Sequence, residues 1–353
     1  MIRVREGVAA EVRAEWPGAR ELLVQMDGQE VRALAYTDTV GTPEPGDRVI
    51  LNATALLQGL GTGGYALVTA VPDRLPADPP PQPGHLVKAR YTPAQTTVLG
   101  VDEQDSPDHE ALRDADSIDG MPVVVADLHS AVPAILAGAR AVRDDPRIAY
   151  VMTDGGALPV AFSRTVHGLR EAGWLAATIT VGQAYGGDRE AVTLHSGLLA
   201  ARHVVGADLV VVAQGPGNLG TGTRWGFSGV VAGEAVNATA TLGGRPIGSL
   251  RVSEGDRRER HYGVSHHSLT AYGRVALAPA EIPVPELGGE FGERVREQAG
   301  VLAGRHTLVD VPCDGMLDAL RESPVRLSTM GRGLDDDAAA FLSAAAAGRL
   351  AVC

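Results

Sequence analysis

From about residue 87 onward, short apolar runs alternate with helix-length segments. That alternation limits the fold more than any other feature of the chain. MPVVVADL leads into HSAVPAILAGARAVR, RIAYVMT into ALPVAFSRTVHGLREA, and WLAATITVG into DREAVTLHSGLLAARHVVG. ADLVVVAQ is followed by a helical pattern reaching Leu242, RPIGSLRVS reads as a further strand, and HTLVDV and CDGMLDALRE close the series. Strands that are apolar at every position must be covered on both faces. Strand–helix alternation of this kind therefore predicts an α/β domain with a doubly wound, mainly parallel sheet. GLDDDAAAFLSAAAAGRLA reads as a last helix, with the acids at 335–337 placed to suit its positive end.

The first 71 residues follow a different rule. GVAAEVRAEW, ELLVQMDGQEVRALAY, DRVILNATAL and YALVTAV are strand-like runs broken by Pro-Gly, Asp-Gly and Gly-Asp turns. They predict a small antiparallel β-barrel, with Asp27-Gly28 as a hairpin turn. Six Arg against nine acids in this segment argue against phosphate binding, so the barrel is expected to pack or to make a homodimer. PDRLPADPPPQPG places six prolines in 13 residues, which neither a helix nor a central strand can accept. The expected organisation is a barrel over 1–71, a Pro-rich linker over 72–86, and an α/β domain over 87–353 that carries the site.

Composition removes several classes of function. The chain has 353 residues and a net charge of −12, which does not suit a partner made of nucleic acid. Lys88 is the single lysine among 31 basic residues. A P-loop needs a Lys beside its second Gly, where this chain has Thr221, and a pyridoxal-phosphate enzyme would have only Lys88 to use. Two cysteines, Cys313 and Cys353, make no disulfide framework or Cys-rich zinc site. No signal-peptide core and no run of 18 apolar residues is present, so the expectation is a cytoplasmic protein with no membrane partner.

Polar residues cluster where each apolar run ends. Asp127, His129 and Ser130 follow the first strand of the series. Thr153, Asp154, Gly155 and Gly156 follow the next, and Gln183, Gly186, Gly187 and Asp188 the third. Gln214 and a glycine cluster follow LVVVA, and Cys313 follows LVDV. In a parallel sheet all these ends lie on one edge, where open α/β sheets bind ligands.

One such end, VVVAQGPGNLGTGTRWG, places five glycines within twelve residues and matches G-x-G-x-x-G at Gly215, Gly217 and Gly220. Three readings stand. A dinucleotide fingerprint wants an acid about 20 residues on, but Glu254 is roughly twice as far. An anion cradle would use backbone N–H groups at Gly215, Gly217, Gly220, Thr221, Gly222 and Thr223, with Gly155, Gly156, Gln183 and Gln214 beside them. The third reading is a structural turn.

Asp127-Leu128-His129 can aim two side chains at one ion, and Asp154 adds a carboxylate from the next strand end. RERHYGVSHHSL adds His261, His266 and His267. Asp127, His129, Asp154, His261 and His267 are thus candidate ligands for a divalent metal such as Zn, Mn or Fe. Asp127, His129, Asp154 and His266 are the candidate catalytic groups. The opposing reading has these histidines bonded to loop backbones. Gly263-Val264-Ser265-His266 departs from a nucleophile elbow in its last residue. Cys313 before a helix reads as a small buried residue, and His195 as a core histidine.

ADLHSA, VMTDGGALP, VGQAYGGD, VAQGPGNLGTGT and GVSHHSLTAYGRV, with EWPGA, RALAYTDTVGTPEPGDRVILN and GLGTGGYALV, together resemble a bacterial family found mainly in Gram-positive and actinobacterial genomes. That family is known only as a domain of unknown function, so the resemblance implies no activity, cofactor or site residue. Two functions remain in view. One is a hydrolase or transferase, metal-assisted, acting on a small anionic or phosphate-bearing ligand. The other is a non-catalytic sensor of a nucleotide-like ligand.

Overall fold

The computed structural model describes residues 1–61 and 63–353. Thr62, inside GLGTGGYALV, lies outside the described residues. The chain forms two compact units, Met1–Gln82 with Arg90–Thr96, and Pro83–Ala89 with Thr97–Cys353.

The smaller unit contains a closed barrel of five strands: β1 (Val4–Trp16), β2 (Ala19–Met26), β3 (Gln29–Tyr36), β4 (Arg48–Asn52) and β5 (Ala66–Ala70). The ring order is β1-β2-β3-β5-β4, around a core that includes Leu22, Val24, Ala33, Val49, Leu51 and Val68. The barrel is mixed rather than wholly antiparallel, because β3 and β5 run parallel with Ala33 opposite Ala66. Closure explains the difference. A ring with an odd number of strands cannot alternate direction all the way round, so one neighbouring pair must run the same way.

The larger unit is built on an eight-stranded sheet. In chain order the strands are β6 (Pro122–Val125), β7 (Ile148–Thr153), β8 (Ala177–Thr180), β9 (Arg189–Glu190), β10 (Leu209–Gln214), β11 (Arg245–Gly248), β12 (Glu281–Pro285) and β13 (Thr307–Val311). The spatial order is β9-β8-β7-β10-β6-β11-β12-β13, and every pairing is parallel. Consecutive residues of one strand enter opposite cores. Val123 and Val125 face one side, while Val124 faces the other. Both faces are covered by helices, which is why these strands are apolar throughout.

Helices α1 (Val132–Arg140), α2 (Arg164–Glu171) and α8 (Ala338–Val352) lie over one face. Helices α3 (Leu194–Ala200), α4 (Val231–Thr241) and α6 (Gly289–Gly300) lie over the other. Two short helices, α5 (His266–Thr270) and α7 (Met316–Arg321), complete the set used below. Close approach of α1 and α8 depends on Gly138 and Gly348. A Cβ on the first would sit 1.9 Å from the Ala345 carbonyl oxygen, and on the second 1.8 Å from that of Ile135. Among the described residues no helix is long and apolar enough to cross a membrane.

The connections set where a ligand can enter. From β6 the chain passes to β7, on one side in the strand order, and from β11 it passes to β12, on the other. The loops after the neighbouring strands β6 and β11 therefore diverge and open a crevice at the C-terminal edge. Lys88 is used elsewhere. It is buried, and its ammonium donates to the carbonyls of Ala191 (2.8 Å), Ala184 (3.0 Å) and Thr180 (3.4 Å), with the Glu190 carboxylate 3.4 Å away.

Candidate metal centre

Three histidines of the segment that follows β11, one before α5 and two in its first turn, converge near the end of β6. A single ring nitrogen from each of His261, His266 and His267 lies within 4.8 Å of the others. Local chemistry brings them together. After β11, Val252 and Ser253 pair antiparallel with Val264 and Gly263, so the chain doubles back. Ser265 then caps α5, its hydroxyl accepting from the His267 N–H. The same hydroxyl lies 2.8 Å from His261 Nδ1. Ser268 Oγ accepts from the Arg251 N–H at 2.8 Å and ties α5 to the loop after β11.

The protonation of His261 follows from its neighbours. Arg260 Nε, which can only donate, is directed at His261 Nε2 from 3.4 Å. The proton of the neutral ring is then on Nδ1, donating to Ser265, and the one Nε2 lone pair is directed at Arg260, which has to move aside before that nitrogen binds a metal. A histidine whose second nitrogen is held in this way is oriented for a metal. Among the described residues the buried His266 Nε2 has no hydrogen-bond partner, and such an atom is costly unless something binds it. His267 stacks on Phe227, with ring centres 3.8 Å apart and planes 2° from parallel.

Burial holds the His261 pKa down to about 3, helped by Arg251, Arg258 and the other two histidines. Burial, with His267 and Arg260 nearby, lowers His266 to about 4. Both rings are neutral at pH 7, the form that binds metal. Nitrogens on one zinc ion stand about 3.3 Å apart for bonds of 2.0–2.1 Å. Binding therefore closes the cluster by at most about 1.5 Å.

Asp127 belongs to the same place. It follows β6, is buried, and its Oδ2 has no hydrogen-bond partner among the described residues. That oxygen is 3.5 Å from His267 Nδ1 and 3.9 Å from Arg251 Nη1. Arg251 Nη1 is itself 3.1 Å from His267 Nδ1. Gln214 donates its amide to the Asp127 carbonyl at 2.9 Å.

Of the candidates named from sequence, the structure thus brings together Asp127, His261, His266 and His267. His129 is placed apart from them. Its Nε2 is 2.7 Å from Ser163 Oγ and its Nδ1 is 3.0 Å from the Tyr150 hydroxyl. Tyr150 donates its one proton to the Ala213 and Gln214 carbonyls, so it accepts from His129. Both nitrogens are therefore engaged, and burial lowers this histidine to about 4. Ser163 and His129 have the spacing of a nucleophile and its base. Ser163 is buried, however, and caps α2 through the Val166 N–H. Asp154 is exposed, and its carboxylate accepts from the Gln183 N–H at 2.9 Å, joining the loops after β7 and β8.

The glycines of 155–156 and 215–222 shape the rim. A Cβ on Gly156 would sit 2.2 Å from the Gly215 carbonyl oxygen, and one on Gly215 2.2 Å from that of Ala157. Several backbone N–H groups expected to face an anion are bonded within the loops. Gly215 donates to Thr153 O and Thr221 to Gly226 O. Gly220 pairs with Phe227 in an isolated bridge, and α4 starts only at Val231. The segment instead reaches the histidines from its C-terminal end, through Phe227 and through Arg260, which donates to the Gly222 carbonyl at 3.1 Å. The Thr221 and Thr223 hydroxyls bond one another at 3.2 Å.

Arg251 and Phe227 escape the sequence reading, and Ser265, weighed there only against a nucleophile elbow, instead caps α5 and holds His261. RPIGSLRVS looks like one strand, but β11 ends at Gly248, and Arg251 lies in the loop beyond. Gly248-Ser249 was the available signal for that early end.

A family model described as a protein of unknown function, DUF3866, matches residues 32–348. No curated protein matches the chain.

Proposed function

We propose, for a chain that belongs to the DUF3866 family of unknown function, that it is a metal-assisted hydrolase or transferase acting on a small anionic substrate at the C-terminal edge of its sheet. The observation that carries this reading is the His261–His266–His267 cluster, in which the His261 and His266 rings are held neutral, with the buried His266 Nε2 left unpartnered among the described residues. Three protein nitrogens with an open fourth position are the donor set of a catalytic zinc ion. Such an ion lowers the pKa of a bound water and polarises the group under attack.

The remaining steps belong to this chain's own residues. Asp127 Oδ2, free of hydrogen bonds, receives the proton of the attacking hydroxyl. As the bond to the leaving group breaks, the proton passes from Asp127 to that group. Arg251 balances the negative charge that develops on the substrate oxygen. Phe227 and Ser265 hold two of the histidines in place and touch no substrate.

A second reading has an oxyanion in the cluster in place of the metal. The guanidiniums of Arg251, Arg258 and Arg260 around the histidines favour it. A panel of carboxylic and phosphoric esters, assayed with added Zn or Mn and again with chelator, separates the two. Turnover that appears with metal and stops with chelator supports the first reading. Phosphate binding with no metal binding and no turnover supports the second.

A further inference from the structure

A cavity of about 10 Å³, the space of one water, lies between the ends of β6, β7 and β10 and the start of α4. Asp127, Thr153 and Gln214 are the polar residues that line it. We infer that it is a site for a single water held by these three side chains, and that Thr153 and Gln214 position the Asp127 carboxylate through that water. The inference deepens the reading above, in which Asp127 takes a proton, and to that extent rests on it.

The register of the sheet brings the three together. Gln214 lies beside Thr153 in the β10–β7 pairing, and Val212 lies beside Val125 in the β10–β6 pairing. Side chains alternate along a strand, so Thr153, Gln214 and Asp127 share the face of Val151, Val212 and Val125. Asp127 Oδ2, Thr153 Oγ1 and Gln214 Oε1 are all buried, with no hydrogen-bond partner among the described residues. The Gln214 amide has one orientation. Its Nε2 donates to the Asp127 carbonyl at 2.9 Å, which leaves Oε1 as the unpartnered acceptor. Gly155 gives that oxygen room, because a Cβ there would stand 2.5 Å from it.

One water answers all three groups. It donates to Asp127 Oδ2 and Gln214 Oε1 and accepts from the Thr153 hydroxyl, about three bonds being usual for a buried water. A hard cation takes about six or more oxygens. The side chains that complete this cavity, Val125, Val212, Val231, Ala232 and Ala235, are aliphatic. The water also accounts for where Asp127 stands. Its Oδ2 is 3.5 Å from His267 Nδ1 and 3.9 Å from Arg251 Nη1, beyond a full hydrogen bond to either. A bond from the water keeps the carboxylate off Arg251 and leaves a second lone pair for the proton of the attacking hydroxyl.

The test is a high-resolution crystal structure of chelator-treated full-length protein, with Thr153→Val and Thr153→Ser beside it. In the parent, one water is expected within about 2.5–3.2 Å of all three oxygens. Thr153→Val keeps the shape and removes the hydroxyl. It is expected to lose the water and to let Asp127 close on Arg251 to about 2.9 Å, and Thr153→Ser to restore the parent arrangement. In metal-loaded protein, Thr153→Val is expected to lower kcat by about tenfold or more with KM and metal stoichiometry unchanged, and Thr153→Ser to recover it. A cavity without density, a cation recognised by contacts shorter than a hydrogen bond, an unmoved Asp127 in Thr153→Val, or a parental kcat in that variant would each overturn the inference. The crystals are metal-free, so the water site can fail while the metal centre stands. A protein that binds no metal but shows the water, and the shift of Asp127 without it, would keep the site and remove the reaction.

Discussion

Asp127 Oδ2 and His267 Nδ1 face one another at 3.5 Å, with Arg251 Nη1 3.1 Å from the nitrogen and 3.9 Å from the oxygen. A residue at the end of β6 thereby meets a helix that begins eighteen positions beyond β11. The contact gives Asp127 its proposed role as proton acceptor beside, and not within, the histidine set. Asp127→Asn keeps the shape and removes the charge. It is expected to lower metal-dependent kcat by about 10²–10⁴-fold, the usual contribution of a general base, with metal stoichiometry unchanged. Loss of metal in this variant would instead make Asp127 a ligand.

Phe227→Leu keeps a buried apolar side chain and removes the ring stacked on His267. A stacked aromatic pair contributes about 0.5–1.5 kcal/mol beyond area. The variant is expected to melt a few degrees lower and to bind metal more weakly, both measurable in one thermal series with and without metal. An unchanged metal affinity would remove Phe227 from the positioning role.

The pH dependence of stability has a definite sign. His129, His261 and His266 are held neutral, with pKa values lowered to about 4, 3 and 4. Unfolded histidines take up protons near pH 6.5, while these do so only near pH 3–4. Stability is therefore full above pH 6.5 and falls as the pH drops from there toward 4, by up to about 1.4 kcal/mol per pH unit for each group. Metal-free protein melted at pH 7.5, 6 and 5 should show this decline. His129→Gln should flatten part of it, and a flat profile in the parent protein would contradict the assignment.

Gly156→Ala and Gly215→Ala drive a methyl group to 2.2 Å from a carbonyl oxygen of the facing loop. Overpacking of this kind costs about 1–3 kcal/mol. Gly220→Ala meets its nearest atom at 3.9 Å and is expected to be nearly neutral. Chemical denaturation of the three variants gives the ranking. Equal stabilities would mean that the loops after β7 and β10 do not pack as described.

Lys88→Met leaves the buried Glu190 carboxylate without its ammonium and is expected to cost about 3–5 kcal/mol. Glu190 still accepts from Thr180 Oγ1 at 2.7 Å, and burial already raises its pKa. Adding Glu190→Gln should recover part of the loss, a coupling that a double-mutant cycle measures. Strict additivity would contradict the pairing.

Much of the fold was readable because strand periodicity is local. Val123 to Val125 and Val210 to Val212 announce a sheet buried on both faces before any partner is known. The parallel β3–β5 closure was not readable, since it follows from the parity of the ring and not from either strand. The site divides in the same way. His261, His266 and His267 lie within seven residues, so their proximity was visible in the sequence. That Asp127 joins them while His129, two residues away, turns to Tyr150 and Ser163 depends on tertiary packing. The glycines of 215–222 carried a motif whose letters fit a cradle. Their neighbours, Ala157 and Gly226, show loops packed against each other.

The most direct test of the account is metal binding to the parent protein and to His266→Gln, followed by calorimetry with Zn after chelator treatment and dialysis. His266 Nε2 has no partner among the described residues, so its replacement removes a proposed ligand without breaking a hydrogen bond at that atom. The account predicts one ion per chain in the parent. In the variant it predicts an affinity at least about 100-fold lower, because the loss of an outer-shell partner alone costs 10–100-fold. No saturable binding in the parent, or the same affinity in His266→Gln, would contradict it.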